Sequence, residues 1–216
     1  MTSIHLAGQR IDLLPQRAAY WPAQNAVLLA DVHLGKDQVF RSSGMAVPAG
    51  VLAADLQRID ALLEQTGAER LIVLGDWVHA PPRADDVWPA QISRWRLGHE
   101  QLSIDLVLGN HDRALAPWLA TWRINGHRPW LDVDGLRLVH DWTHAAGQAG
   151  VSGHLHPGAV LKDRRQRLRL PAFLLSENHL VLPAFGRFTG LMTDSDFPTR
   201  RCFVIAGNRL VELPVP

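Results

Sequence analysis

The sequence predicts an α/β protein in which two packed β-sheets are flanked by helices. Three observations carry that expectation. Short apolar runs recur along the 216 residues, and several of them end abruptly in a group of polar, chemically active side chains. Helical periodicity is confined to the first half of the chain. The last third changes character and reads as a succession of strands closed by a hairpin.

The elements follow in order. Ala26-Val27-Leu28-Leu29-Ala30 is a continuous apolar run, the pattern of a strand buried on both faces. From Ala49 to Thr66, Val51, Leu52, Leu56, Ile59, Leu62 and Leu63 recur with a 3.6-residue period, and Gly67 closes the segment as a helix C-terminus. Leu71-Ile72-Val73-Leu74 is a second buried strand. Val87 to Gln101 predicts a second helix, with Trp88, Ile92, Trp95 and the following Leu102 on one face. Strands follow at Ile104–Leu108 and Leu136–Val139, then at His179–Leu182, Cys202–Ile205 and Arg209–Leu213. The last two flank Ala206-Gly207-Asn208, a hairpin connection. No low-complexity linker or internal repeat interrupts them, so one domain over 1–216 is expected.

Composition narrows the class. A hydrophobic content of 47% supplies a core for a domain of this length. The formal charge of +1 argues against a wholly basic nucleic-acid binder and leaves room for a local basic groove. Cys202 is the only cysteine, so there is no intrachain disulfide framework. Met1-Thr2-Ser3-Ile4-His5-Leu6 lacks the pattern of a secretory signal. No stretch approaches the roughly 18 apolar residues that span a bilayer. A soluble, cytoplasmic protein is expected.

The polar groups at the strand ends carry the chemistry. They are Asp31-Val32-His33, Gly75-Asp76, Gly109-Asn110-His111-Asp112, His140 and Gly153-His154-Leu155-His156. Functional groups at the carboxyl ends of buried strands converge on one crevice. In extended backbone, the two-residue spacing of Asp31 and His33, and of His154 and His156, turns both side chains to one side. Gly75-Asp76 or Gly109-Asn110 alone fits a strand cap or turn; the ordered set does not. Imidazole, carboxylate and one amide, without thiolate, suit manganese, iron or zinc better than an all-oxygen cage suited to magnesium or calcium.

In order and content these motifs resemble the calcineurin-like metallophosphoesterase superfamily over most of the chain. The resemblance implies a four-layer αββα sandwich and two divalent metal ions, manganese first, with iron or zinc as alternatives. It assigns Asp31, His33 and His156 to one ion and Asn110, His140 and His154 to the other, with Asp76 bridging. Paired ions of this kind sit about 3.5–4 Å apart and hold a hydroxide that attacks phosphorus. After the two carboxylates and the hydroxide are counted, the site keeps positive charge, which favours an anionic phosphate ester. His111 is the histidine left over, and the superfamily reading makes it the group that stabilises the transition state and protonates the leaving oxygen. Asp112 is expected to hold His111 in one tautomer; a plain cap before Arg113-Ala114-Leu115 is the competing role. His140 competes with His144, into which no apolar strand leads. His79 reads as a surface-loop residue, at most beside the substrate.

Three further stretches narrow the resemblance: Leu14-Pro15-Gln16-Arg17 before Tyr20-Trp21-Pro22, Leu34-Gly35-Lys36 leading to Phe40-Arg41, and Leu182-Pro183-Ala184-Phe185-Gly186 running into Phe188-Thr189-Gly190. They are similar to the bacterial ligase-associated DNA damage response endonuclease family. That implies phosphodiester cleavage of DNA in repair, with a DNA ligase and a helicase as partners. One departure is Ala172, where a cysteine is expected. Lys36 and Arg41 follow the first motif closely enough to bind substrate phosphate. Lys162, Arg164, Arg165, Arg167 and Arg169 form a basic run able to track a backbone, or an exposed hairpin. Among the eight tryptophans, Trp88 and Trp95 belong to a helical face and are expected in the core; others could stack unpaired bases. The alternative substrate is a small nucleotide or a nucleotide-sugar lipid precursor, and a non-catalytic scaffold is the third reading.

Overall fold

The computed structural model describes residues 1–48, 50–162 and 167–214. Seven strands form the first sheet in sequence order: β1 (Thr2–Leu6), β2 (Gln9–Leu14), β3 (Ala18–Trp21), β4 (Ala26–Leu29), β5 (Arg70–Leu74), β6 (Ser103–Val107) and β7 (Asn125–His127). The pairs from β1 to β4 are antiparallel; those from β4 to β7 are parallel. The second sheet holds β8 (Trp130–Val133), β9 (Leu136–Val139), β10 (Gly150–Ser152), β12 (Arg167–Leu175), β13 (His179–Val181), β14 (Arg201–Ala206) and β15 (Arg209–Leu213), in the order β15-β14-β12-β13-β10-β9-β8. There β9, β10 and β13 are parallel neighbours, and β11 (Gly158–Lys162) pairs with β12 off the main path.

Parallel neighbours need crossover connections. Helices α1 (Lys36–Ser42) and α2 (Val51–Thr66) lie between β4 and β5, α3 (Pro89–Leu97) between β5 and β6, and α4 (Ala116–Thr121) between β6 and β7. The apolar runs are continuous because each residue finds a core on one face or the other. Val27, Leu29, Leu71 and Val73 pack with Leu56, Ile59, Leu62 and Trp95 on the helical side. Ala26, Leu28, Ile72 and Leu74 pack with Leu138, Phe173, Leu180 and Phe203 between the sheets. On the outer face of the second sheet a smaller cluster holds Ala172, Cys202 and Val204. So the alanine at the expected cysteine position is structural. Phe197 lies there against Trp142 and His179, with ring centroids 5.4 and 6.1 Å away.

The expected strands are present to within a residue or so at each end, and β14 and β15 form the expected hairpin. Gly67 caps α2 in the left-handed region, at φ 68°, and its N–H donates to the Leu63 carbonyl; the expected first residue, Ala49, lies outside the described residues. The helix α3 is shorter than 87–101. It stops at Gly98, whose N–H bonds to the Arg94 and Trp95 carbonyls. Leu102 is still buried, drawn in as Arg96 donates to its carbonyl at 2.8 Å. No helix among the described residues is long and apolar enough to cross a membrane.

Candidate metal centre

Parallel strands β4, β5 and β6 of one sheet and β9 and β10 of the other release their polar ends at a common edge of the sandwich. Backbone bonds stitch those ends together. Asp31 N–H donates to the Gly75 carbonyl (3.1 Å), His33 N–H to Asp76 (2.8 Å) and Gly153 N–H to His140 (3.0 Å). From a later loop, Phe185 and Gly186 donate to Ala30 and Asp31 (2.8 and 3.1 Å).

The side chains converge by a different route from the extended backbone expected. Asp31, His33, Asp76, His154 and His156 all have positive φ, between 47° and 69°. Non-glycine residues rarely adopt this region, and each costs on the order of 1–3 kcal/mol, held only where the surroundings over-determine it. Left-handed turns, not the strand pleat, aim these groups. Gly75, at φ 83°, makes room for them. A Cβ there would lie 1.9 Å from His140 Nδ1.

Each carboxylate is anchored through one oxygen and turns the other inward. Asp31 Oδ2 accepts from His154 N–H at 2.9 Å, while Oδ1 lies 3.4 Å from His156 Nε2 and has no hydrogen-bond partner among the described residues. Asp76 Oδ1 accepts from His111 N–H at 2.9 Å, and its Oδ2 lies 3.8 Å from His33 Nε2 and 3.6 Å from His140 Nε2. His33 and His156 bring their Nε2 atoms to 3.5 Å. On the other side His140 Nε2 is 2.9 Å from Asn110 Oδ1 and 3.0 Å from His154 Nδ1. So the seven expected ligands gather in two groups, Asp31–His33–His156 and Asn110–His140–His154, with Asp76 between them.

The donor set fits cations. His140 Nδ1 faces the Leu74 carbonyl at 3.0 Å. A carbonyl only accepts, so that nitrogen carries the proton and Nε2 is a lone pair in the neutral ring. It then faces an amide oxygen, a carboxylate oxygen and another imidazole nitrogen. Burial, with Lys36 next, pushes His33 down to about 2, which keeps it in the neutral form that ligates metal. Lone pairs crowded at 3–4 Å are stabilised by positive charge between them.

The remaining residues divide. His111 Nδ1 lies 2.6 Å from the His79 carbonyl and therefore donates to it, which turns Nε2 toward the centre, 4.0 Å from Asp76 Oδ2. The expected orienting role of Asp112 is not what the structure contains. Its fully buried carboxylate folds back onto backbone, accepting from Gly109 N–H (2.9 Å) and Val78 N–H (3.3 Å). Burial pushes Asp112 up to about 6. No helix starts at Arg113 either; residues 111–114 form a turn.

His79, read from sequence as a loop residue, stacks on His111 with centroids 5.0 Å apart and meets His33 edge-on at 5.4 Å. Its three-residue spacing from Asp76 was the only signal. Lys36 is half-buried beside the cluster; burial lowers its pKa, and the Asp76 charge opposes that. Arg41 is bound to Asp37 one helical turn back and to the Pro48 carbonyl at 3.2 Å, which commits it to its own helix. His144 is exposed on a short 3-10 turn, and His140 occupies the centre. Of the basic run, Arg164 and Arg165 lie outside the described residues; Arg167 and Arg169 are exposed, and Arg169 donates to the Leu191 carbonyl. Trp88 and Trp95 are core residues, and Trp21, Trp77 and Trp122 are completely buried.

No protein-family profile and no curated protein matches the chain. Among solved structures, it is similar to the crystal structure of the Pseudomonas putida nuclease MPE. The TM-score is 0.83 at 36% sequence identity, over 98% of this chain and 99% of the other. A more distant likeness is to Yfce, a phosphoesterase from E. coli, with a TM-score of 0.44 and 15% identity over 88% of this chain and 99% of that one.

Proposed function

This chain belongs to the calcineurin-like metallophosphoesterases, in the family of the Pseudomonas putida nuclease MPE, and on that premise we propose that it is a two-metal phosphodiesterase that cleaves DNA. The observation that carries the reading is Asp76, whose inner oxygen lies between His33 and His140 at nearly equal distances. In this reading Asp31, His33 and His156 would hold one ion, Asn110, His140 and His154 would hold the other, and Asp76, lying between the two groups, would serve both. Manganese is the first candidate. When bound, divalent ions supply Lewis acidity and a nucleophile available at neutral pH.

The chain's own residues supply the rest. Asp31 and Asp76 neutralise only part of the charge of two divalent ions, so the site attracts a phosphodiester. His111 keeps its Nδ1–H on the His79 carbonyl, so Nε2 can give a proton to the departing oxygen only from the doubly protonated imidazolium, and that form is the one the role requires. Lys36 adds a cation at the rim. The buried carboxylates lie beneath imidazoles that reach solvent: the side chains of His154, His111 and His156 are 40%, 35% and 23% exposed. Such an open rim suits a phosphate in the middle of a long strand. The motif resemblance extends this reading to DNA repair, beside a DNA ligase and a helicase.

The test is metal-dependent turnover of the purified chain on bis(p-nitrophenyl) phosphate, p-nitrophenyl phosphate, nucleotides, and linear and circular single-stranded DNA. Cleavage of circular DNA with manganese supports the endonuclease reading. Hydrolysis of nucleotides with both DNA forms left intact would replace it by a small-molecule phosphoesterase.

A further inference from the structure

A narrow cleft opens on one flank of the metal centre. His33, Gly35 and Lys36 line one wall and Arg187, Phe188 and Thr189 the other. Asp37 and Asp55 line it too, and the interior, about 10 Å³, holds no more than a water, so a larger ligand lies across the mouth. The second wall belongs to the Leu182–Gly190 stretch, whose motif has no part in the metal site. It is firmly built. Arg17 donates to the carbonyls of Ala184 and Gly186 (3.4 and 3.2 Å), and Arg58 donates to that of Phe185 (2.9 Å) while lying 3.9 Å over its ring. A Cβ at Gly186 would come within 2.6 Å of the Val32 carbonyl, so this loop presses directly on the backbone between two metal ligands. It then delivers two exposed side chains, Arg187 and Phe188, to the cleft mouth.

Both are without the internal roles of their neighbours. Asp55, close enough to feel the charge of Arg187, is already bonded to Arg58 at 2.9 Å. Asp37, the other carboxylate lining the cleft, is paired with Arg41, so the guanidinium groups of Arg17, Arg58 and Arg187 are left with Asp55 alone and the flank carries surplus positive charge. Phe188 is 39% exposed. Trp130, the other aromatic residue comparably exposed among the described residues, has a face covered by Arg137 at 4.0 Å. The opposite flank of the centre has the reverse character: Asp141, Asp194 and Asp196 line a cleft there beside His154. A polyanion entering the metal centre is attracted on one side and repelled on the other.

We propose that the mouth of the Lys36–Arg187 cleft is the subsite for the nucleotide adjoining the scissile phosphate, with Lys36 and Arg187 gripping the flanking phosphate and Phe188 stacking on an unpaired base. The strand is anchored on this flank, and the acidic flank is where the cleaved end leaves. This rests on the nuclease reading above. Arg for phosphate and an exposed ring for a base is the combination that binds single strands without sequence preference.

The test compares wild type with Arg187→Gln, Phe188→Leu and Phe188→Tyr on two substrates, single-stranded DNA and bis(p-nitrophenyl) phosphate, which has neither a flanking phosphate nor a base. A second readout is the affinity for fluorescent oligothymidylate by anisotropy in the presence of a chelator, across a salt series. Phe188→Leu should lower kcat/KM on DNA about 5- to 150-fold, the equivalent of ~1–3 kcal/mol of stacking, while Phe188→Tyr stays near wild type. Arg187→Gln should flatten the salt dependence of binding by about 0.7 in log K per log salt, the slope of one single-strand phosphate contact. Small-diester turnover should hold in all three. Equal losses on both substrates, leucine as good as tyrosine, or an unchanged salt slope in Arg187→Gln would overturn the subsite while the nuclease reading stands. If wild type hydrolyses the diester and leaves DNA uncut, the nuclease reading falls and takes the subsite with it.

Discussion

Replacing Gly75 by alanine tests whether the centre is built by backbone approach. The added Cβ would stand 1.9 Å from His140 Nδ1, well inside the ~3.4 Å of ordinary contact, so the imidazole must move by more than 1 Å. That movement breaks its 3.0 Å bond to the Leu74 carbonyl, worth about 0.5–1.5 kcal/mol. The left-handed backbone at φ 83° adds roughly 1–2 kcal/mol for any residue with a Cβ. Together the cost is about 1.5–3.5 kcal/mol, which at this chain length lowers Tm by roughly 3–14 °C. A displaced catalytic ligand costs about 10²-fold in rate per Å. Gly67→Ala is the control: its φ is 68°, but a Cβ meets nothing within 4 Å. Scanning fluorimetry, metal analysis and hydrolysis of bis(p-nitrophenyl) phosphate read all three effects. Gly67→Ala should lower Tm slightly and keep full metal content and turnover. Gly75→Ala should lower Tm further, lose one of two ions and lose about 10²-fold in rate. If the two variants behave alike, the clash argument is wrong and the glycine serves only its backbone angle.

Three other outcomes are expected. Asp76→Asn should lose both ions together and fall to background turnover, because the inner oxygen near both clusters loses its charge; a variant retaining two ions and full rate removes Asp76 as the shared ligand. His111→Gln should keep its metal but lose about 10²–10⁴ in rate on DNA and less on a p-nitrophenyl ester, whose leaving group needs little protonation; equal losses would exclude the proton-donor role. His179, buried on the outer sheet face and pushed down to about 4 by burial, resists protonation in the fold, whereas in the unfolded chain it takes a proton near 6.5. Stability therefore falls as pH drops from about 6.5 to 4, by at most about 3 kcal/mol from this residue. In chelator, His179→Gln should show a smaller loss of urea midpoint between pH 7 and 5 than wild type; the same loss would place the acid sensitivity elsewhere.

The strand ends were legible because largely apolar runs, packed on both faces, give way to a cluster of polar side chains where each strand stops. That is why His140, directly behind Leu136–Val139, could be preferred to His144. What failed was geometry finer than the strand. Sequence adjacency paired Asp112 with His111, but a tight turn from Gly109 brings the carboxylate onto the N–H groups of Gly109 and of Val78. Arg41 stands four residues after Asp37, the spacing of an intrahelical ion pair, and α1 had to be seen as a helix before that spacing meant anything. His79 reached the site through its carbonyl as well as its ring, and a main-chain acceptor has no sequence signature. The exposed aromatic residue beside the cleft is Phe188; five of the eight tryptophans, Trp21, Trp77, Trp88, Trp95 and Trp122, are taken up by the core, and the exposed Trp130 is covered by Arg137.

Asp31 leaves the first sheet and its anchored oxygen takes the N–H of His154 from the second, 123 positions along the chain. His33 and His156 face each other across the same seam at the same separation. An ion held by Asp31, His33 and His156 would therefore act as a clasp between the two sheets. Closing a loop of that length removes chain entropy on the order of 4 kcal/mol from the unfolded ensemble. Loss of that ion would then lower the stability of the whole fold as well as its turnover.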